Sequence, residues 1–266
     1  MKIGGNAFNC GVNFVSDRYR AKVVVTAEGC RVKLTEKMAG KNRRTERLLA
    51  VLKAIPLVRG PVSLVENNKI FLLLFVTAAA IDFVYYLEGT GSIAGGTAAA
   101  ALLLIEFAVF IGATGYILVR LLRQGRNTRR FHGAEHKTIG AYESGEELTL
   151  ETARKASRVS KRCGTELVVF VLCFYAPLSY ALPTDGLAMI LAFSLGYEVF
   201  RIPGGDRLPV LSWLFKLGYF LQKHLFTAEP TDSQLAAAVA AVKTLAEAEK
   251  AAGKAAKEAE SGFSKN

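Results

Sequence analysis

Long apolar stretches with few charges constrain the fold of this chain more than any other feature of its sequence. Residues 70–87 and 97–119 are each long enough to cross a bilayer, because about 20 apolar residues in a helix span its hydrocarbon core. Residues 167–182 and 187–202 form a second such pair after a polar interval. Since 51% of all residues are hydrophobic, the first class that the sequence indicates is an integral membrane protein.

The distribution of Lys and Arg predicts how these stretches are oriented. The connections 88–96 and 183–186 contain no basic residue, whereas the sequences before residue 70 and after residue 119 are strongly basic. Cytoplasmic loops collect Lys and Arg, and this bias also accounts for the net charge of +11. The sequence therefore predicts a mainly α-helical, multi-pass protein of the cell membrane, with about four transmembrane helices in two hairpins and both termini cytoplasmic.

The N-terminal region is predicted to contain β-structure. Residues 21–26 have strand-like alternation, 27–29 are typical of a turn, and 30–34 alternate again. This pattern predicts a β-hairpin within a small cytoplasmic cap. The four cysteines have no C-x-x-C spacing, so reduced thiols are expected in place of a disulfide framework.

Three further segments are predicted to be helices at or near the membrane surface. Residues 208–226 are long enough for a fifth span, but their cations favour an amphipathic helix that lies on the surface. Residues 149–163 are predicted to form a helix begun by Thr149, whose basic side chains favour anionic lipid headgroups over RNA. From residue 231, apolar residues at helical spacing predict a cytoplasmic helix with a frayed end.

Together these predictions divide the chain into seven regions. The regions are 1–40 (β-rich cap), 41–66 (basic interfacial segment), 67–120 (first transmembrane hairpin), 121–163 (cytoplasmic helical loop), 164–204 (second transmembrane hairpin), 205–227 (amphipathic interfacial helix) and 228–266 (cytoplasmic Ala/Glu/Lys-rich helix and tail).

The cytoplasmic loop contains the motif His132-Gly-Ala-Glu135-His136. On a helix, two histidines four residues apart project from one face, and the H-x-x-E-H spacing adds a carboxylate beside them. The histidines can bind Zn²⁺ or a similar divalent metal, and Glu135 can act as a general base on bound water. The alternative is a polar helix whose histidines only form hydrogen bonds. The location between two hairpins, in a chain with three histidines, favours the metal site.

Four carboxylates lie in or beside the predicted spans, where an uncompensated charge costs several kcal/mol. Glu198 lies near the cytoplasmic end of the fourth span and is the predicted third metal ligand. Glu166 lies at a similar depth, where a solvated interfacial charge is the preferred interpretation. For the deeper Asp82 and Glu106, an internal polar pair that holds the first hairpin together is favoured over a proton or ion path.

Cys163 is the remaining candidate in this part of the chain. It lies at the predicted membrane surface near several cations, which lower the pKa of a thiol and favour a metal ligand or a nucleophile. A buried structural cysteine is an equal alternative.

Several segments together resemble the YqhQ-like family of bacterial membrane proteins. The segments are His132–Glu143, Leu148-Thr149, Ala153–Arg158, Arg162-Cys-Gly-Thr165, Gly196-Tyr-Glu198, Leu221-Gln222 and Thr227-Ala-Glu-Pro230. The resemblance extends over most of the chain up to about residue 245. It implies the membrane architecture and a metal-dependent enzyme of unknown reaction. Glu143 is a further candidate site residue.

Two departures from the family concern the site. Family members carry a Glu in an N-terminal Gly-Gly-Gln-Ala segment, whereas this chain reads Gly4-Gly5-Asn6-Ala7 there and has Cys10 at the place of the acid. Relatives also commonly have His-Pro before Arg-Cys-Gly-Thr, where this chain has Ser160-Lys161. If the missing Glu or His is a ligand in relatives, this chain has an altered site, with Cys10 as the candidate replacement.

The sequence thus predicts a membrane protein that binds a divalent metal at the cytoplasmic surface, with metal-assisted hydrolysis of an amide or ester as the reaction that fits. The alternative is a non-enzymatic scaffold or biogenesis factor, whose basic cytoplasmic face binds lipid headgroups, a protein partner or ribosomal RNA. A transporter that uses Asp82 and Glu106 is the weakest interpretation, because four spans without an inverted repeat form a small translocation unit.

Overall fold

A computed structural model describes residues 1–37, 43–67, 86–87, 89 and 125–263. The chain divides into two compact units, which are described separately below. Unit 1 comprises Met1–Ala39, Gln124–Lys161 and Tyr219–Asn266, and unit 2 comprises Gly40–Arg123 and Arg162–Gly218. Apart from residues 86–87 and 89, the predicted first hairpin lies outside the described residues, and so do Asp82 and Glu106.

The described part of the chain is mainly helical and begins with an antiparallel sheet. The strands, in both chain and spatial order, are β1 (Gly4–Phe8), β2 (Gly11–Val15), β3 (Tyr19–Thr26) and β4 (Gly29–Glu36). The α-helices are α1 (Arg43–Ala54), α2 (Arg59–Asn67), α3 (Arg126–Glu143), α4 (Leu150–Lys155), α5 (Gly164–Ala181), α6 (Asp185–Arg201), α7 (Pro209–Leu221) and α8 (Asp232–Phe263). Two shorter turns are 3₁₀-helical Gly205–Arg207 and π-helical Gln222–Phe226.

The predicted β-hairpin is confirmed and consists of β3 and β4, with Thr26 opposite Gly29. Gly29 has a φ of 132°, a conformation that side-chain-bearing residues rarely adopt. The sheet is larger than the sequence predicted, because β1 and β2 extend it on the other side of β3. These two strands are short and flanked by glycines, so their alternation is weak.

Alternate residues of β2 and β3 form the apolar face of the sheet. Val12 lies opposite Val23 and Phe14 opposite Ala21, and all four side chains are fully buried. An apolar sheet face of this kind must be buried against another element of the fold. Helices α3 and α8 provide it, and the apolar residues of α8 between 235 and 245 join the same core. The predicted helical stripe in this region is therefore confirmed.

The prediction of one helix over 149–163 is wrong beyond Lys155. Thr149 caps α4 as expected, since its side chain accepts the backbone N–H of Thr152 and the Thr152 hydroxyl oxygen accepts the backbone N–H of Thr149. The chain then becomes extended at Ala156. Serine side chains compete with a helix for backbone groups, and here the Ser157 hydroxyl oxygen accepts the Val159 N–H at 3.0 Å.

In unit 2, α5 and α6 pack together as an antiparallel pair joined by a short turn. Thr184 caps α6 by accepting the N–H of Leu187 at 3.2 Å. Gly196 allows close packing, because an added Cβ would lie 3.0 Å from the backbone nitrogen of Val171. These two helices coincide with the stretches predicted as the third and fourth spans.

Among the residues that the structure describes, α5 is the helix that is long and apolar enough to cross a membrane. Its mean hydropathy is 1.4, and only 17% of its residues are buried inside the structure. The core helix of a water-soluble protein would be mostly buried. Helix α5 is therefore an indication of membrane association, whereas the four-span topology stays a prediction.

Candidate metal centre

Helix α3 brings the two histidines of the H-x-x-E-H motif together. Their ring centroids lie 4.4 Å apart with an interplanar angle of 64°. His136 is buried and His132 is half-buried, because Phe131 and Ala134 turn the same part of α3 into the core of unit 1. The predicted helix and its spacing are confirmed.

Each histidine is oriented by a backbone carbonyl from a distant segment. The Nδ1 atom of His132 lies 3.0 Å from the carbonyl oxygen of Phe226, and that of His136 lies 2.6 Å from the carbonyl oxygen of Arg158. A carbonyl oxygen can only accept a hydrogen bond, so Nδ1 of each ring carries the proton and donates it. The lone pair of each ring is then on Nε2, which is the arrangement that metal-binding histidines use.

Burial also keeps both rings neutral. It lowers the pKa of His132, and it lowers the pKa of His136 to about 4, with a smaller contribution from the neighbouring His132 ring. Neutral imidazole is the form that binds metals. At neutral pH, both rings can therefore act as ligands without first losing a proton.

Glu135 is buried and faces strand β1. Its carboxyl group accepts the backbone N–H of Ala7, and an added Cβ on Gly5 would collide with the Glu135 carboxyl. Burial raises the pKa of Glu135 to about 8, more than the hydrogen bond from Ala7 lowers it. The side chain is therefore protonated at neutral pH, and Gly5 provides the space that it occupies.

A second set of contacts fixes the segment 227–230 on α3. The N–H of Ala228 donates to the carbonyl oxygen of Arg129 at 2.9 Å, and Gly133 has no space for a Cβ because the carbonyl oxygen of Ala228 lies there. The buried Lys137 donates to the carbonyl oxygen of Arg154 and forms an ion pair with Glu229, both at 2.8 Å. Sequence reasoning missed Lys137 and Glu229 as a pair, since 92 positions separate them.

The remaining predicted site residues of unit 1 lie at its surface. Cys10 is exposed in the turn between β1 and β2. Glu143 is exposed at the end of α3, about 10 Å along the helix axis from His136.

In unit 2, Glu198 forms an ion pair with Arg59 that engages both of its carboxylate oxygens. Arg59 Nε donates to Oε1 at 2.8 Å, the N–H of Leu57 donates to the same oxygen at 2.9 Å, and Arg59 Nη2 bonds to Oε2. Leu57 has a φ of 66°, which is a strained conformation for a residue with a side chain. Glu198 thus fixes the turn between α1 and α2.

The interpretation of Glu166 as a solvated charge is wrong. The Glu166 side chain is fully buried in α5, and an added Cβ on Gly218 would lie 2.9 Å from its Cγ. A glycine at position 218 leaves the space that Glu166 fills. No local sequence signal relates these two positions.

Cys163 is buried at the start of α5, and its Sγ accepts the Thr165 hydroxyl at 3.1 Å. Within the described part of unit 1, His132 and His136 offer ligand atoms that lie close enough together to share a metal ion.

Fold and site thus define a helix-rich protein with an N-terminal antiparallel sheet and a pair of neutral histidines, one buried and one half-buried. Residues 70–248 match the family described as "Protein of unknown function (DUF1385)", and the chain belongs to this family. The chain is also similar to "Uncharacterized protein YqhQ" of Bacillus subtilis (strain 168), at 28% identity over 192 residues. The resemblance drawn from the motifs is confirmed.

That match covers 68% of this chain and 58% of the relative, so the chain spans less than two thirds of the length of that protein. No solved structure gives a significant match.

Proposed function

We propose that this protein is a membrane protein that binds a divalent transition metal, with His132 and His136 as ligands through Nε2. The observation that carries the proposal is the way in which the two neighbouring rings are held. Both are neutral, their centroids lie 4.4 Å apart, and both Nδ1 atoms are hydrogen-bonded to carbonyl oxygens. Two imidazoles on one helical face are typical zinc ligands.

A catalytic zinc site needs a third protein ligand and keeps a fourth position for water. Cys163, a buried thiol, is the proposed sequence-based candidate for that third ligand. Glu198 is a weaker candidate for this role, because its carboxylate already binds Arg59.

The reaction that fits such a centre is metal-assisted hydrolysis of an amide or ester, with Glu135 as the general base. Since the pKa of Glu135 is about 8, most of these carboxyl groups are protonated at neutral pH, and only the ionised fraction can accept a proton from bound water. In cells, Glu135→Gln should then give a stable but inactive protein. A stable and fully active variant would exclude this role.

The proposed location is the cell membrane, with four spans, both termini cytoplasmic and the metal centre at the cytoplasmic surface. Support comes from the outward-facing α5 and from exposed apolar side chains along α7 and its flanks. These side chains belong to Leu208, Val210, Trp213, Leu217, Phe220 and Leu225. Large exposed apolar patches mark contacts with lipid or with other proteins.

This surface also favours the second candidate function, a non-enzymatic membrane scaffold. The exposed Lys216 and Lys223 lie among the apolar residues of α7 and the following turn, as in helices that bind anionic lipid headgroups. In that case the histidines would only hold the fold together. A protein partner or ribosomal RNA is an alternative ligand for the basic face.

Elemental analysis of the purified protein tests the metal site. We expect about one zinc-type ion per chain in the wild type, and its loss from His132→Ala and His136→Ala at equal folding. His224→Ala is a matched control, because this third histidine is exposed and stacks on Phe220. Absence of stoichiometric metal from the wild type would refute the proposal, and metal retained by both site variants would place it elsewhere.

A further inference from the structure

The carbonyl groups that orient the two histidines belong to two separate segments of unit 1. The acceptor for His136 is Arg158, in the irregular segment 156–161, and the acceptor for His132 is Phe226, the last residue of the π-helical turn. Helix α3 fixes the backbone position of each histidine. The directions in which the two Nε2 atoms point also depend on how these two segments are held against each other.

Gln222 joins the two segments with its side chain. Its Oε1 accepts the backbone N–H of Ser160 and its Nε2 donates to the carbonyl oxygen of Ser160, both at 3.0 Å. This paired arrangement resembles the exchange of hydrogen bonds between neighbouring strands. Gln222 is fully buried, so neither bond competes with bulk water, and losing one would leave a buried polar group without a partner.

The backbone of Gln222 also fixes the end of the turn. Its carbonyl oxygen accepts the N–H of Thr227 at 2.9 Å and the Thr227 hydroxyl at 2.8 Å. Arginine side chains bind the next two carbonyl groups. Arg158 donates to the oxygen of Lys223 at 3.3 Å, and Arg129 donates to the oxygen of His224 at 2.7 Å. The turn that contains Phe226 is therefore held at successive residues.

We propose that Gln222 is a positioning residue for the metal ligands, because it ties the segment that orients His136 to the turn that orients His132. Its two bonds to Ser160 keep both acceptor carbonyls in place and direct both Nε2 atoms to one ligand position. The hydrogen bonds of Gln222 are independent of any metal, whereas their effect on metal binding rests on the proposed function.

The test compares two glutamine variants. Gln222→Met keeps the length of the side chain and removes both bonds to Ser160. Gln234→Met is the matched control, because Gln234 is also a buried glutamine of unit 1, but its Oε1 accepts the N–H of Thr231 at the start of α8. If Gln222→Met does not fold, Gln222→Glu replaces it, since it keeps the acceptor and loses only the donor. Circular dichroism and thermal melting establish equal folding.

The first measurement is the protonation site of each imidazole, from spectra of metal-free protein with ¹⁵N-labelled histidine. The chain has three histidines, and His224→Ala assigns the third. We expect Nδ1–H in His132 and His136 of the wild type and of Gln234→Met. In Gln222→Met, both rings should show a mixture of the two tautomers.

The second measurement is a titration with Co²⁺, whose visible absorption reports ligand geometry. Gln222→Met should bind Co²⁺ roughly 10-fold more weakly than Gln234→Met, with an altered spectrum. Unchanged tautomers together with equal Co²⁺ affinity would overturn the inference. Altered tautomers in Gln222→Met, in a protein whose wild type binds no metal, would support the positioning role and refute the metal site.

Discussion

The two units of this protein place their apolar side chains in opposite ways. In unit 1, Phe14, Val23 and Leu245 are fully buried in one core. In unit 2, Val168, Leu172 and other large side chains are exposed along α5. Burial of apolar surface stabilises a fold in water. The described core of unit 1 is thus shielded from water, whereas α5 of unit 2 exposes apolar side chains, which is an indication of membrane association.

Unit 1 also contains a group of buried polar side chains. Unit 1 buries Glu135, His136 and Lys137 on consecutive positions of one helix, and each has a partner in the sheet or in a neighbouring segment. A network of this kind favours one arrangement of its side chains, because a buried polar group that lost its hydrogen-bond partner would destabilise the fold.

The largest expected effect comes from removing one large side chain in each unit. Phe14→Ala should reduce the free energy of unfolding by about 3–5 kcal/mol, because Phe14 is fully buried. Leu172→Ala should change it by less than about 0.5 kcal/mol, since this side chain is 59% exposed. Thermal and denaturant unfolding in detergent micelles measures both. Equal losses of unfolding free energy in the two variants would refute the difference in side-chain burial between the units.

The next effect is a pH dependence from Glu135. Its pKa is raised from 4.5 to about 8, so the native state holds a proton that the unfolded chain releases above pH 4.5. Its stabilising contribution is complete below pH 4.5 and is lost as the pH rises through 8. Glu135→Gln should therefore become more stable relative to the wild type as the pH rises, by up to ~1.4 kcal/mol per pH unit in this range.

Denaturant unfolding at pH 5 and pH 8 measures this change. A difference between Glu135→Gln and the wild type that is the same at both pH values would mean that Glu135 is not buried against β1.

Two glycines of α3 provide a third test, within unit 1 alone. Gly133→Ala should destabilise the protein by about 1–3 kcal/mol, because the new Cβ would collide with the backbone oxygen of Ala228. At Gly140 the nearest atom to a new Cβ is 3.8 Å away, so Gly140→Ala should stabilise α3 by up to ~1 kcal/mol. Melting temperatures of the two variants should shift in opposite directions. If both rise, the segment 227–230 does not pack on α3.

The smallest effect concerns the attachment of α8 to the sheet. Glu249 accepts the Ser16 hydroxyl at 2.6 Å and the N–H of Arg18 at 2.8 Å. Glu249→Ala should reduce the free energy of unfolding by about 0.5–1.5 kcal/mol. Glu247→Ala, an exposed position on the same helix, should leave it unchanged. Indistinguishable denaturation curves for the two variants would show that this contact contributes nothing.

Local sequence signals predicted the elements that depend on nearby residues. Alternation predicted the β3–β4 hairpin, apolar spacing predicted α8, and Thr149 predicted the start of α4. Spacing alone placed His132 and His136 on one face of α3. Each of these patterns reflects a repeat or a cap that acts within a few residues.

Such local patterns could not predict contacts between residues that are far apart in the sequence. The carbonyl groups that orient His136 and His132 lie 22 and 94 positions away from their rings, and Arg59 lies 139 positions from Glu198. The fully buried Glu166 could not be distinguished from a solvated carboxylate by sequence alone. Its burial depends on the space that Gly218 leaves.

The sequence by itself determined which residues could do chemistry: a histidine pair at helical spacing with a carboxylate beside it. Only the tertiary structure decided the state of these groups. Strand β1 buries Glu135 and raises its pKa, and two carbonyl groups from separate segments set the tautomers of His132 and His136. The physical reason is that protonation and ring orientation depend on solvent exclusion and hydrogen-bond partners, which folding supplies from far along the chain.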